Sequence, residues 1–161
     1  MDAMPVLHLV ATATPPTTQL PEAVRLLQRG GWDVWVTATP NALAMKFLDR
    51  AAVRAATGHP VRTEAGVAGE DRARRETPDA IAAVVTLNTL SKWALGINDS
   101  AALGVLHEGL GAGVPIVAGV WAKDKLRRHP AFDGHIAALA EAGVVFLAPG
   151  SGYGPYDWPM L

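Results

Sequence analysis

The sequence predicts an α/β domain with a mainly parallel sheet and helices on both faces. Two observations carry this. Short apolar runs, partly β-branched, recur at Val6–Ala11, Trp32–Ala38, Ala80–Val85, Val114–Val120 and Val144–Leu147. Each is apolar at nearly every position, as a strand covered on both faces should be. Segments of helical apolar spacing lie between them, so strand and helix alternate. A third observation sets the scale: 161 residues, 50% hydrophobic and only 18% charged. That is one domain, with a core large enough to fold without a disulfide or metal staple.

The elements follow in order. Val6–Ala11 runs into a hydroxyl-rich turn, Thr12–Thr18. Pro21 suits a first helical turn, Ala23, Val24, Leu26 and Leu27 supply an apolar face, and Gly30–Gly31 ends the helix. The second strand, Trp32–Ala38, stops at Thr39–Pro40–Asn41, with a helical pattern from Ala42 to Leu48 and another over Arg50–Ala56. Val61–Thr63 suits a short strand, and Glu64–Pro78 reads as a solvated, charged loop. The third strand, Ala80–Val85, ends in Thr86–Thr89, read as its turn. Helical spacing resumes over Asp99–Leu110, then strand Val114–Val120, helix Pro130–Ala142 and strand Val144–Leu147. The expected architecture is a three-layer, Rossmann-like or flavodoxin-like parallel sheet with right-handed crossovers. Residues 148–161 read as an irregular tail.

Composition removes several function classes. A net charge of −1 lacks the basic footprint of a nucleic-acid binder. No cysteine is present, which excludes disulfides, thiolate metal sites and a cysteine nucleophile, and suits a cytoplasmic setting. No apolar run approaches the length of a membrane span. The five histidines show no metal-ligand spacing, so no metal is expected. Neither a GxxxxGK[ST] loop nor a G-x-S-x-G elbow occurs.

In doubly wound sheets, ligands bind beyond the carboxyl ends of the strands. Three of those turns, Thr12–Thr18, Thr39–Asn41 and Thr86–Thr89, carry hydroxyl or amide side chains. Such groups, with backbone N–H groups at helix starts, suit a phosphate-bearing ligand.

Asn88–Thr89–Leu90–Ser91–Lys92–Trp93–Ala94–Leu95–Gly96–Ile97–Asn98–Asp99 resembles the signature N-T-x-x-K-x-A-x-G-I-x-D of the homo-oligomeric flavin-containing cysteine decarboxylases. The resemblance extends over nearly the whole chain and makes residues 1–147 the flavoprotein domain. It implies FMN, held at an interface of a homo-oligomer, a trimer or a multiple of trimers. It would put Ala13, Thr14 and Pro15 in a first phosphate loop, Thr39, Pro40 and Asn41 on phosphate or ribityl oxygens, and Thr86, Leu87, Asn88 and Thr89 along the isoalloxazine. Asp99 and Trp121 join the cofactor set by the same resemblance.

Within the family, the chain looks closer to the peptidyl-cysteine decarboxylases of ribosomal peptide antibiotics than to phosphopantothenoylcysteine decarboxylase, whose tail cysteine it lacks. The implied reaction is oxidative decarboxylation of a C-terminal peptidyl cysteine to an enethiol, the precursor of aminovinyl-cysteine. Asn88 would be the catalytic residue, orienting substrate against the ring, and Lys123 and Arg127 would neutralise the carboxylate. The chain departs from the pattern in three places. The proline opening the family's P-A-S-A-N-T turn is missing. Lys123 stands where relatives have a substrate-binding asparagine, and no histidine lies near Asp71 or Arg72, where the family has its active-site histidine. A phosphopantothenoylcysteine decarboxylase-like enzyme, and a flavin-binding or interaction protein without decarboxylase activity, are the alternatives.

Overall fold

The computed structural model describes residues 3–64 and 77–147. The greater part of the charged stretch, with Asp71 and Arg72, and the tail 148–161 lie outside the described residues.

Five parallel strands form one sheet in the order β2-β1-β3-β4-β5. They are β1 (Val6–Ala11), β2 (Asp33–Ala38), β3 (Ala80–Thr86), β4 (Ile116–Trp121) and β5 (Val145–Phe146). The helices are α1 (Leu20–Arg29), α2 (Pro40–Ala44), α3 (Arg50–Thr57), α4 (Leu87–Ala94), α5 (Ala101–Gly111), α6 (Asp124–Arg127) and α7 (Phe132–Glu141), with a 3-10 turn at Pro15–Gln19. The strand order places the topological switch between β1 and β3, where the chain departs in opposite directions from neighbouring strands.

The period-2 alternation of the strands divides the core in two. Leu7, Leu9 and Ala11 of β1 and Ala82 and Val84 of β3 face one cluster, with Leu20, Ala23 and Val24 of α1 and Val53 of α3. Val10, Ile81, Ala83 and Val85 face the other, with Leu90 and Trp93 of α4 and Leu103 and Leu106 of α5. Burial on both faces explains why these strands read as unbroken apolar runs. Gly109 of α5 allows a close approach to the sheet, because a Cβ there would overlap Ile81 Cδ1.

Local chemistry sets the helix ends. Asp49 accepts from Ala52 N at 3.0 Å and caps α3, and Gly58 closes it at φ 75°. That left-handed turn delivers His59 to β2. His59 Nε2 and Asp33 Oδ1 are 2.6 Å apart, the Trp35 indole stacks on the imidazole at 3.8 Å, and Trp35 Nε1 donates to Asp33 Oδ2 at 3.1 Å. His8 bonds Thr37 Oγ1 at 2.7 Å across the β1–β2 pair.

The expected short strand at Val61–Thr63 is a single parallel bridge, Arg62 to Thr37, on the outer edge of β2. The larger correction concerns Thr86–Thr89. It is the start of an eight-residue helix, α4, with Thr86 as its cap. The helix expected over Ala42–Leu48 is shorter and earlier, Pro40–Ala44, and Lys46 follows at φ 59°. Among the described residues, no helix is long and apolar enough to cross a membrane.

Candidate flavin site at the carboxyl ends of the strands

A cleft of ≈ 710 Å³ opens beyond the carboxyl ends of β1, β2, β3 and β4. Its size falls within the roughly 300–1,000 Å³ of small-molecule and cofactor sites. Its position follows from the topology, because the β1 and β3 crossovers diverge there.

Thr12 holds the floor. Its Oγ1 donates to Val84 O at 3.0 Å and accepts from Thr86 N at 3.1 Å, tying the ends of β1 and β3 together across the switch point. Thr17 Oγ1 in turn donates to Thr12 O at 2.7 Å. These hydroxyls do the work of main-chain partners where the ladder ends. The Thr86 hydroxyl caps α4 by accepting from Thr89 N at 3.3 Å. This fixes the first turn of α4, with Leu87, Asn88 and Thr89, against the cleft.

Thr39 differs from these threonines. Its Oγ1 is buried yet has no hydrogen-bond partner among the described residues, and Thr39 lines the cleft. A buried hydroxyl without a partner is unfavourable, so a polar ligand in the cleft would satisfy it. That donor, the threonine and asparagine side chains around it and the volume together fit a phosphate-bearing flavin. Thr39, Asn41, Thr86, Asn88 and Thr89 would hold it.

Of the residues expected at the site, Ala13, Pro15, Thr39, Pro40, Asn41, Thr86, Leu87, Asn88, Thr89, Asp99, Trp121 and Lys123 line the cleft. Thr14 and Arg127 do not. Thr14 is fully buried with its hydroxyl 3.1 Å from that of Thr17, so it braces the loop from behind. The Arg127 guanidinium turns back onto its own chain, with Nε donating to Ala122 O at 2.9 Å.

Sequence reasoning missed Lys92 as a lining residue. It follows Asn88 by one helical turn, and residues at i and i+4 share a helix face. Recognising Thr86 as a cap would have exposed that spacing. Lys92 Nζ lies 2.7 Å from Asp99 Oδ2, and the two side chains are 31% and 52% exposed. A pair this exposed contributes at most about 1 kcal/mol to stability. Met45 and Leu126, both exposed, give the mouth of the cleft an apolar edge.

Solved structures with the same fold include FMN-dependent cysteine decarboxylase SpaF, with TM-score 0.79 and 22% identity, covering 93% of this chain and 87% of that one. A PPC decarboxylase mutant complexed with pantothenoylaminoethenethiol aligns with TM-score 0.76 and 18% identity over 96% of this chain and 88% of that one. The FMN binding protein AtHal3 aligns with TM-score 0.75 and 18% identity over 96% and 87%. No curated protein sequence matches the chain significantly. At these identities the structural likeness establishes the three-layer fold. Membership rests on the Flavoprotein family model, which matches residues 2–156, nearly the entire sequence: this chain belongs to the Flavoprotein family.

Proposed function

We propose that the protein is an FMN-dependent decarboxylase acting on a C-terminal peptidyl cysteine. The observation that carries this reading is that one cleft, at the switch point of a flavoprotein sheet, is lined by both Asn88 and Lys123. Asn88 supplies an amide that both donates and accepts. Lys123 supplies an ammonium that has no ion-pair partner among the described residues.

In the proposed reaction the terminal residue, –NH–CH(CH2SH)–COOH, becomes –NH–CH=CH–SH. Carbon dioxide leaves, and two electrons and two protons are removed. FMN, when bound, supplies the two-electron acceptor for that oxidation. The chain supplies binding and orientation. Lys123 pairs with the substrate carboxylate as a point charge. Asn88, fixed in the first turn of α4, aligns the thiol-bearing carbon with the oxidant. Such alignment lowers the barrier by settling the relative geometry beforehand. None of the 161 residues is cysteine, so the sequence contributes no thiol to reduce the enethiol further. The exposed apolar residues at the mouth, Met45 and Leu126, support closure of the cleft by a second copy in a homo-oligomer.

The test is mass spectrometry of a short peptide ending in cysteine, incubated with the protein and FMN. The acid should lose carbon dioxide and two hydrogens, and its C-terminal amide should be unchanged. Asn88→Ala should lose turnover even at flavin concentrations that saturate the variant. An unchanged acid peptide with flavin demonstrably bound rejects the proposal. Turnover of phosphopantothenoylcysteine in preference to the peptide assigns the substrate to the other branch.

A further inference from the structure

We propose that Lys92 is an oxyanion-binding cation of the cleft and that Asp99 is the positioning residue that holds it ready. An anionic ligand group, phosphate or carboxylate, would take the place of Asp99 on the ammonium.

Four observations lead there. Lys92 lines the cleft one turn after Asn88 on the same helix. Asp99 is the only carboxylate among the described residues of the lining. The Lys92 Nζ and Asp99 Oδ2 atoms are 2.7 Å apart, and neither side chain bonds any other described residue. Both backbones are anchored by neighbouring caps: Thr86 caps α4, and Ser100, next to Asp99, caps α5 by accepting from Leu103 N at 3.2 Å.

Anchored main chains with partly exposed heads make a pair that is well placed but easily exchanged. An exposed ion pair adds little to fold stability, so opening it costs little. An ammonium has three N–H donors, and one carboxylate oxygen occupies one of them. A ligand oxyanion gains a charge-assisted bond there. Asp99 holds the lysine at the wall of the cleft, and its negative charge opposes an incoming anion. Removing that charge should therefore strengthen anion binding, whereas removing the ammonium should weaken it. A purely structural pair would lose stability in both cases and change ligand affinity in neither.

The phosphate and carboxylate sources rest on the FMN and peptide reading above, while oxyanion binding itself does not. Inorganic phosphate, titrated while the Lys92 Cε signals are followed by NMR, should shift them saturably, and at lower concentration in Asp99→Asn. Calorimetric titration of wild type, Lys92→Met, Lys92→Arg and Asp99→Asn then identifies the source. With phosphate as the natural group, Lys92→Met lowers FMN affinity about tenfold and leaves riboflavin unchanged. With carboxylate, it leaves both flavins unchanged and weakens the acid peptide about tenfold relative to its amide on the FMN-loaded protein. In either case Lys92→Arg restores binding and Asp99→Asn raises the same affinity by about threefold. Wild-type affinities throughout for Lys92→Met overturn the proposal, as does parallel weakening in Lys92→Met and Asp99→Asn. Wild type that binds neither flavin rejects the functional reading alone, because the phosphate titration still reports on Lys92.

Discussion

Thr39→Val separates folding from ligand binding at a single atom. Valine has nearly the shape of threonine, so the packing around β2 and α2 is preserved. What disappears is Oγ1, which is buried and has no partner among the described residues. A buried hydroxyl without a hydrogen bond costs about 1–3 kcal/mol on the scale of protein mutations. Its removal should therefore stabilise the ligand-free protein by about 1 kcal/mol or more. For a chain of this length each kcal/mol moves Tm by about 2–4 °C, so Tm should rise by a few degrees. Flavin binding should move the other way. One hydrogen bond to the ligand is worth about 0.5–1.5 kcal/mol, or up to about 3 if its acceptor is charged. Loss of about 1.4 kcal/mol is a tenfold weaker Kd. The assays are thermal unfolding of ligand-free protein and titration of FMN by fluorescence quenching. A variant that unfolds earlier than wild type, or binds FMN equally well, refutes the assignment of this hydroxyl to the ligand.

Two further substitutions probe the frame around the cleft. Thr12→Val removes the hydroxyl that joins Val84 O to Thr86 N and leaves a half-buried amide without its protein partner; it should destabilise by about 1–2 kcal/mol. The urea midpoint should fall with an unchanged slope, and an unmoved midpoint would show that the clasp between β1 and β3 is dispensable. Gly109→Ala forces a Cβ against Ile81 Cδ1 and within 3.7 Å of Ile116 Cδ1; overpacking of this kind costs about 1–3 kcal/mol, offset by up to about 1 kcal/mol of helix propensity. In an Ile81→Val background the penalty should shrink, and a double-mutant cycle with no coupling would place the strain elsewhere.

The strands were legible because each of β1 and β3 carries two apolar faces, and a run such as Val6–Ala11 has few other stable destinations. The turns at their carboxyl ends were legible as the lining of a cleft for a related reason: hydroxyl and amide side chains concentrate there, where parallel sheets leave room. The start of α4 was not legible. Asn88 and Thr89 favour turns when considered locally. Burial of Leu90 and Trp93 against the β3–β4 face outweighs that preference and makes the segment helical.

The sequence by itself determined the alternation of strands and helices, the family and most of the residues lining the cleft, because these depend on local pattern and on spacing along the chain. The tertiary structure decided which side chains meet. It withdrew Thr14 and Arg127 from the cleft by giving their polar groups partners nearby. It left the Thr39 hydroxyl unpaired and brought Lys92 to Asp99. It also joined Asp33, Trp35 and His59, the first and the last 26 positions apart in sequence, into one cluster far along the strand from the cleft. Pairings of this kind depend on where folded backbones place their heads relative to one another, a distance that spacing in sequence does not encode.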